Sequence, residues 1–256
     1  MTARVTVLGS CGAWPEAGRA CAGFFVDHRG YRLALDLGNG TLPNLLKSLG
    51  SDVAEGLDAV VITHSHPDHM VDAHALMRAR LYGREGLPKL PLVAPRSVHE
   101  RLASLEEDDE GAVEAVFQYE EPVGQLINLG PFAVTTTFLP HYVESVGVRL
   151  DGEGVAIAYT GDTGPSEAIA ELGRGVDLFI VDATDRHQQP RRPKDSEPDL
   201  LLTGVLAGQA ARKAQSHRLM LTHFWPGNDR EQSRRDAAAF FDGEIIIADE
   251  GLVVEL

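Results

Sequence analysis

Residues 60 to 72 read VVITHSHPDHMVD, a β-branched run that ends in three histidines and two aspartates within nine positions. With the residues before it, LDAVVITH has the composition of a buried strand. Five groups able to titrate or coordinate, crowded at a strand end with a proline among them, are not explained by packing. Any fold that carries this segment must bring the end of an interior strand to a place where polar ligands gather. Neutral imidazoles and carboxylates suit zinc, and also manganese or iron. His64, His66, Asp68 and His69 form H-x-H-x-D-H. On a loop leaving the strand, His64 and His66 can face one cation while Asp68 and His69 turn to a second. Asp72 reads as a helix-start residue rather than a ligand.

The rest of the chain alternates strand and helix signals. RVTVLG, GFFVDHRG and YRLALDLGNG read as strands joined by turns, LPNLLKSLG as a helix with a glycine stop, and MVDAHALMRARLYG as the helix after the histidine cluster. LPLVAP is a strand, SVHERLASL a helix, and EEDDEGAVEAVF an acidic helix or loop. The second half repeats the pattern. INLGPFAVTTTFLPH, SVGVRL and GVAIAYTGDT are strand-rich, SEAIAELGRG is a helix, and DLFIVDAT is a strand. A polar, proline-rich loop HQQPRRPKDSEPD leads to the helix LLTGVLAGQAARKA, the strand RLMLTHFW, the helix DREQSRRDAAAFF and the strands EIIIAD and GLVVEL. No linker separates the halves. The expectation is one domain over 1–256 in the mixed α/β (α+β) class: two sheets face to face with helices outside, a four-layer αββα sandwich.

A site for two cations needs more ligands, and the strand ends offer them. His141 lies in FLPHYVES, Asp162 in AYTGDTG and His223 in LMLTHFW, each after an apolar strand. Singly, such residues are more often turn or cap residues; together with the first cluster they are hard to read that way.

This ordered set resembles the metallo-β-lactamase superfamily. The segments VTVLGSCGAWP, LDLGNG, HYVESVGVRL, YTGDTGP and LTHFWPGND resemble its phosphodiesterase branch, which holds ribonuclease Z and related cyclic-nucleotide phosphodiesterases. The resemblance runs nearly the whole chain and implies the metallo-β-lactamase fold. It implies two Zn²⁺, with Mn²⁺ or Fe as alternatives. His64, His66 and His141 would bind one cation, Asp68, His69 and His223 the other, and Asp162 would bridge them. Cations roughly 3.5 to 4 Å apart can hold a hydroxide and polarise a scissile group. Asp68 would be the catalytic carboxylate, accepting or relaying a proton. Asp36 in LDLG is read as orienting a ligand imidazole, or as a plain turn residue. Members of this superfamily make a homodimer a reasonable expectation.

The chain departs from that pattern where ribonuclease Z-like proteins carry a further histidine. Leu201 stands in that place, and Asp182 stands for a glutamate; leucine neither donates a proton nor binds an oxyanion. His187, in the loop before it, could substitute, but reads first as a solvated residue. His28, His74, His99 and His217 read as surface or helix residues, and Cys11 as a buried packing residue. No protruding Gly- and Pro-rich arm is found. The net charge of −15 repels polyanions, so transfer RNA is not an expected partner and a small-molecule substrate is.

Three functions compete. The first is a phosphodiesterase on a small substrate such as a cyclic nucleotide. The second is a lactonase, esterase or thioesterase in which Leu201, Phe224 and Trp225 form an apolar wall for an acyl group. The third is a metal-binding or di-iron redox protein without hydrolase activity, disfavoured because His66 stands where flavin-partnered di-iron relatives carry glutamate. With no signal-like opening and no long apolar run, a cytoplasmic location off the membrane is expected. Cys11 and Cys21 are expected to be reduced thiols there, a disulfide being the alternative.

Overall fold

A computed structural model describes residues 3–106, 109, 111–122, 126–189 and 200–256. Among them the strands form two seven-stranded sheets. The first runs in the order β14 (Val253–Glu255), β1 (Arg4–Gly9), β2 (Gly23–His28), β3 (Tyr31–Leu37), β4 (Ala59–Val61), β5 (Leu90–Val93) and β6 (Phe117–Glu120). The second runs β13 (Glu244–Ile247), β12 (Arg218–Thr222), β11 (Leu178–Asp182), β10 (Val155–Tyr159), β9 (Ser145–Gly152), β8 (Phe132–Leu139) and β7 (Ile127–Leu129).

The core explains the layering. Val7, Phe24, Val26, Leu33, Leu35 and Val61 from the first sheet meet Phe132, Val134, Val148, Leu150, Ile157, Ile180 and Met220 from the second in one buried cluster. Strands buried on both faces need apolar residues on both, and β4 and β11 are buried throughout. The outer face of the first sheet packs beneath α1 (Thr41–Leu49), α2 (Pro67–Gly83), α3 (Arg96–Ser104) and α4 (Ala112–Val116). That of the second packs beneath α5 (Glu167–Leu172), α6 (Gly204–Ala214) and α7 (Arg230–Ala238). The four-layer αββα sandwich expected from the sequence is present.

The structure departs from the sequence reading in several places. β14, at the chain's end, pairs antiparallel with β1 and so leaves the second half's sheet for the first. The edge strand β6 (FQYE) alternates apolar and polar residues, but over only four positions directly after α4, too short a run to stand out in the sequence. Helix α2 begins at Pro67 rather than Met70, so Asp68 and His69 lie in its first turn and not on a loop. Proline suits a first helical position, where its missing N–H is no loss. Asp72 serves a different helix start from its own: its Oδ2 accepts from the Leu42 amide, 2.8 Å away, at the N-terminus of α1. His28 is not a surface residue; it is buried on β2 beside the Phe132 ring. Of the acidic stretch 106–110, residues 107, 108 and 110 lie outside the described residues, as do 190–199 of the proline-rich loop. No helix among the described residues is long and apolar enough to cross a membrane.

Parallel pairing sets the geometry that follows. β3, β4, β5 and β6 run parallel in one sheet, and β10 to β13 in the other. Open parallel sheets expose crevices at the carboxyl ends of their strands. His64 follows β4, Asp162 follows β10, and His223 follows β12. His141 lies in the β8–β9 connection. At this end the two sheets touch: His64 pairs with Ser145, and the Val146 amide donates to Thr63 O at 3.0 Å.

Candidate metal centre

The seven residues singled out in the sequence converge into two groups that share one member. His64, His66, His141 and Asp162 form one; Asp68, His69, Asp162 and His223 form the other. In the first, His64 Nε2 and His141 Nε2 each stand 3.1 Å from His66 Nδ1. Nitrogens bound to one tetrahedral zinc at ~2.0–2.1 Å stand roughly 3.3 Å apart, so this triangle is close to that of a shared ion.

The outer nitrogens fix which ring atoms face inward. His141 Nδ1 lies 3.0 Å from the Leu200 carbonyl, which can only accept, so Nδ1 carries the proton and Nε2 presents its lone pair. His69 Nδ1 donates to Asp36 Oδ2 at 2.7 Å. Asp36 also accepts from the Thr63 amide (2.7 Å), the Thr63 hydroxyl (2.8 Å) and the Tyr159 hydroxyl (2.8 Å), so this fully buried carboxylate has its acceptors satisfied. Having given its proton to Asp36, Thr63 Oγ1 accepts from His64 Nδ1 at 3.0 Å. The same relay recurs at His223: Thr184 Oγ1 donates to Asp182 Oδ1 and accepts from His223 Nδ1 at 2.8 Å. Four imidazoles are thereby held with Nε2 turned to the centre, the arrangement that ligating histidines require.

The backbone is bent to make room. His223 and Asp36 adopt left-handed conformations, φ 59° and 56°, uncommon for residues other than glycine and concentrated at functional sites. A Cβ on Gly12 would stand 2.5 Å from His223 Cε1, and one on Gly38 would stand 1.9 Å from the Asp68 carbonyl oxygen. Only glycine lets the two turns approach that closely. The Ala13 amide, one residue beyond Gly12, donates to Asp68 Oδ2 at 2.6 Å. Cys11, in the same turn, is a buried free thiol, as is Cys21.

Two observations test whether cations fit. Asp162 Oδ1 lies 3.1 Å from both His69 Nε2 and His223 Nε2, yet Asp162 Oδ1 and His69 Nε2 are buried without a hydrogen bond. Atoms this close without donor alignment face a common point instead of one another. The other carboxylate oxygen, Oδ2, stands 3.9 Å from His64 Nε2 and 3.7 Å from His141 Nε2. The electrostatics agree. Asp36, Asp68 and Asp162 are buried, and their ion-pair partners are histidines. Burial and the neighbouring imidazoles push His64 well below its ordinary value, and burial with His141 brings His66 to about 4. Burial also works against a charged His69 and His223, but Asp162 with Asp36 raises the first, and Asp162 with Asp182 carries the second up to about 10. Burial tends to raise the two carboxyls, but His223 and His69 outweigh it, holding Asp68 below the usual carboxylate range and Asp162 at about 2. The carboxylates of the second group thus demand positive charge, which bound cations would supply. Donor types, spacing and charge all fit metal.

Several parts of the site carry no motif in the sequence. Thr63, Tyr159, Thr184 and the Ala13 amide are of this kind; the nearest signal is the Thr-His pair at 63–64. Asp182, which the sequence marks only as a departure from the family pattern, supports His223 through Thr184. Leu201 is buried, and its neighbour Leu200 lends its carbonyl to His141. His187 is exposed in a 3₁₀ turn (Arg186–Gln188), 3.5 Å from Asp185 Oδ1. Phe224 cannot form an acyl wall, because it is buried in the outer core beneath the Arg230 guanidinium, 4.7 Å away.

Comparison with known proteins agrees with this geometry. Residues 35–224 match the beta-lactamase superfamily domain. The Mycobacterium leprae protein ML1173 is 32% identical over 252 residues, spanning 96% of this chain and 86% of its own length. YhfI of Bacillus subtilis, named a probable metallo-hydrolase, is 28% identical over 98% of this chain and 99% of its own. Its crystal structure, titled a metallo-beta-lactamase fold protein, superposes with a TM-score of 0.84 over the whole of both chains at 26% identity. Ribonuclease Z of Halorubrum lacusprofundi is 27% identical over 100% of this chain and 98% of its own. The chain belongs to the beta-lactamase superfamily. It is a metallo-hydrolase of the metallo-β-lactamase fold, with two side-chain groups able to bind metal.

Proposed function

We propose that the chain acts, as a single domain, as a binuclear phosphodiesterase on small substrates such as cyclic nucleotides. The observation that carries this reading is Asp162, which turns one oxygen toward each histidine group and hydrogen-bonds no imidazole through Oδ1. His64, His66 and His141 would hold one cation, Asp68, His69 and His223 the other, and Asp162 both. Zinc suits the donor set, with manganese or iron as alternatives. When bound, the pair supplies Lewis acidity and makes an activated water available near neutral pH.

The chain's own residues do the rest. Asp36 and the two threonine relays keep each Nε2 aimed inward. Asp68 is ionised and anchored by the Ala13 amide, so its carboxylate is placed to accept the proton of an attacking water. Leu201 offers no acid to the leaving group and so weighs against this reading: a phosphodiester must leave without the help that the family's histidine would give. The relative named ribonuclease Z supports phosphodiester chemistry. The net charge of −15 argues against transfer RNA as the substrate. The acyl reading loses support with Phe224 buried.

The test is a paired hydrolysis assay on Zn²⁺- or Mn²⁺-loaded protein, setting phosphodiesters against lactones, esters and thioesters. Phosphodiester turnover that vanishes in Asp68→Ala is expected. Turnover of acyl substrates alone would replace this reading with carbonyl chemistry.

A further inference from the structure

Aromatic rings stand at the edge of the site, and the hydrolytic residues do not account for them. The chain has two tryptophans, and they form a pair: Trp14 and Trp225 have ring centroids 5.0 Å apart at an interplanar angle of 83°. Both are tied to the candidate centre through the backbone. Trp14 follows Ala13, whose amide holds Asp68, and Trp225 lies two residues beyond His223. The turn between them is fixed by reciprocal bonds, Gly12 N to Phe224 O at 2.9 Å and Phe224 N to Ser10 O at 3.0 Å. Ala13 itself sits at φ 61°, a strained conformation that directs this turn. Arg186 places its guanidinium over the Trp225 ring, 5.1 Å from the centroid. Trp225 is therefore braced, while Trp14 stands against it and remains 41% exposed.

We infer that Trp14 is a stacking platform for the base of the substrate, with Trp225 positioning it. The inference rests on the phosphodiester reading and narrows it to phosphodiesters that carry a planar heteroaromatic group, the nucleotides. Stacking suits this molecule for a physical reason. A chain of net charge −15 gives an anionic ligand no long-range attraction outside the centre, so affinity gained beyond the centre is best drawn from an interaction independent of charge. Base–aromatic stacking is such an interaction and tolerates any base, since every base has a π-face. Tyr142 flanks the other group and is also exposed, but its ring lies against His141, 5.1 Å away, and its hydroxyl accepts from the Leu200 amide at 3.3 Å. At 44% exposure it is as open as Trp14, but its hydroxyl is committed to the backbone.

Because both tryptophans belong to the pair, intrinsic fluorescence reports on it directly. Zn²⁺-loaded protein is titrated with adenosine 5′-monophosphate and with ribose 5-phosphate, two monoesters that differ by the base and need no turnover. The nucleotide should quench and the sugar phosphate should not. Trp14→Ala should weaken nucleotide binding by roughly tenfold or more and remove most of the quench, while Trp14→Phe keeps most of the affinity. With cyclic AMP as substrate, Trp14→Ala should raise KM and leave kcat within about twofold, because stacking remote from the scissile bond is equally strong in the ground and transition states and its removal acts on KM. Equal binding of the two monoesters would overturn the inference. So would unchanged affinity in Trp14→Ala, or a loss that falls on Tyr142→Ala instead. A wild type that binds the nucleotide through its base yet turns over no phosphodiester would support the platform and defeat only the hydrolytic reading.

Discussion

Among the described residues each imidazole of the centre except His66 has its outer nitrogen engaged by an oxygen, and that detail carries the chemistry further than the ligand set alone. Asp36 takes four donors, among them the His69 ring and the Tyr159 hydroxyl from the opposite sheet. Asp36→Asn and Thr184→Val should each weaken cation binding by about 10- to 100-fold, the usual effect of removing an orienting partner. Competition with a chelator measures this, and unchanged affinity would mean that the rings are oriented some other way. The seven candidate ligands that the fold brings together were legible in the sequence because residue type and spacing mark them, whereas Asp36 was open between an orienting role and a plain turn. Tyr159 and Thr184 were not, because a hydroxyl acquires its partner only when strands distant in sequence are brought together. His28 shows the same limit from the other side: at the end of a polar-looking segment, it is buried by Phe132 from the second sheet.

Helices α1 and α2 meet where Asp72 reaches across. Helix α1 begins at Gly40 with no side-chain cap of its own, and Asp72 of α2 takes the Leu42 amide in that place. Losing such a cap costs roughly 0.5–2 kcal/mol. Asp72→Ala should therefore lower stability by about 1 kcal/mol in urea denaturation, with cation stoichiometry unchanged. A change in cation binding would instead place Asp72 in the centre. The strong elements were readable from apolar runs and glycine stops, Gly50 closing α1 in the left-handed conformation as expected. What escaped were features set by neighbours: the short edge strand β6, defined by its pairing with β5, and the sheet that β14 joins, drawn back to the first by β1.

The centre sits where the two sheets touch, so binding there should hold the sandwich together. Ligand that binds only the folded chain stabilises it by RT ln(1 + [L]/Kd), about 4 kcal/mol at a thousandfold excess over Kd. EDTA treatment should lower Tm, and restored Zn²⁺ should recover it; no shift would detach the centre from folding. Proton linkage gives a sign as well. His69 and His223 are raised in the cation-free chain, so both hold protons at neutral pH that a cation must displace. Apparent cation affinity should fall as pH drops from about 8 to 6. Calorimetry in buffers of different ionisation enthalpy should register proton release on loading, and uptake would contradict the assignment.

The most direct test is cation stoichiometry, measured by native mass spectrometry on the wild type and on Asp162→Ala. Two cations per chain in the wild type, with neither tightly held in the variant, is the result predicted from a carboxylate that serves both groups. A single cation in the wild type, or two retained without Asp162, would contradict a shared binuclear centre.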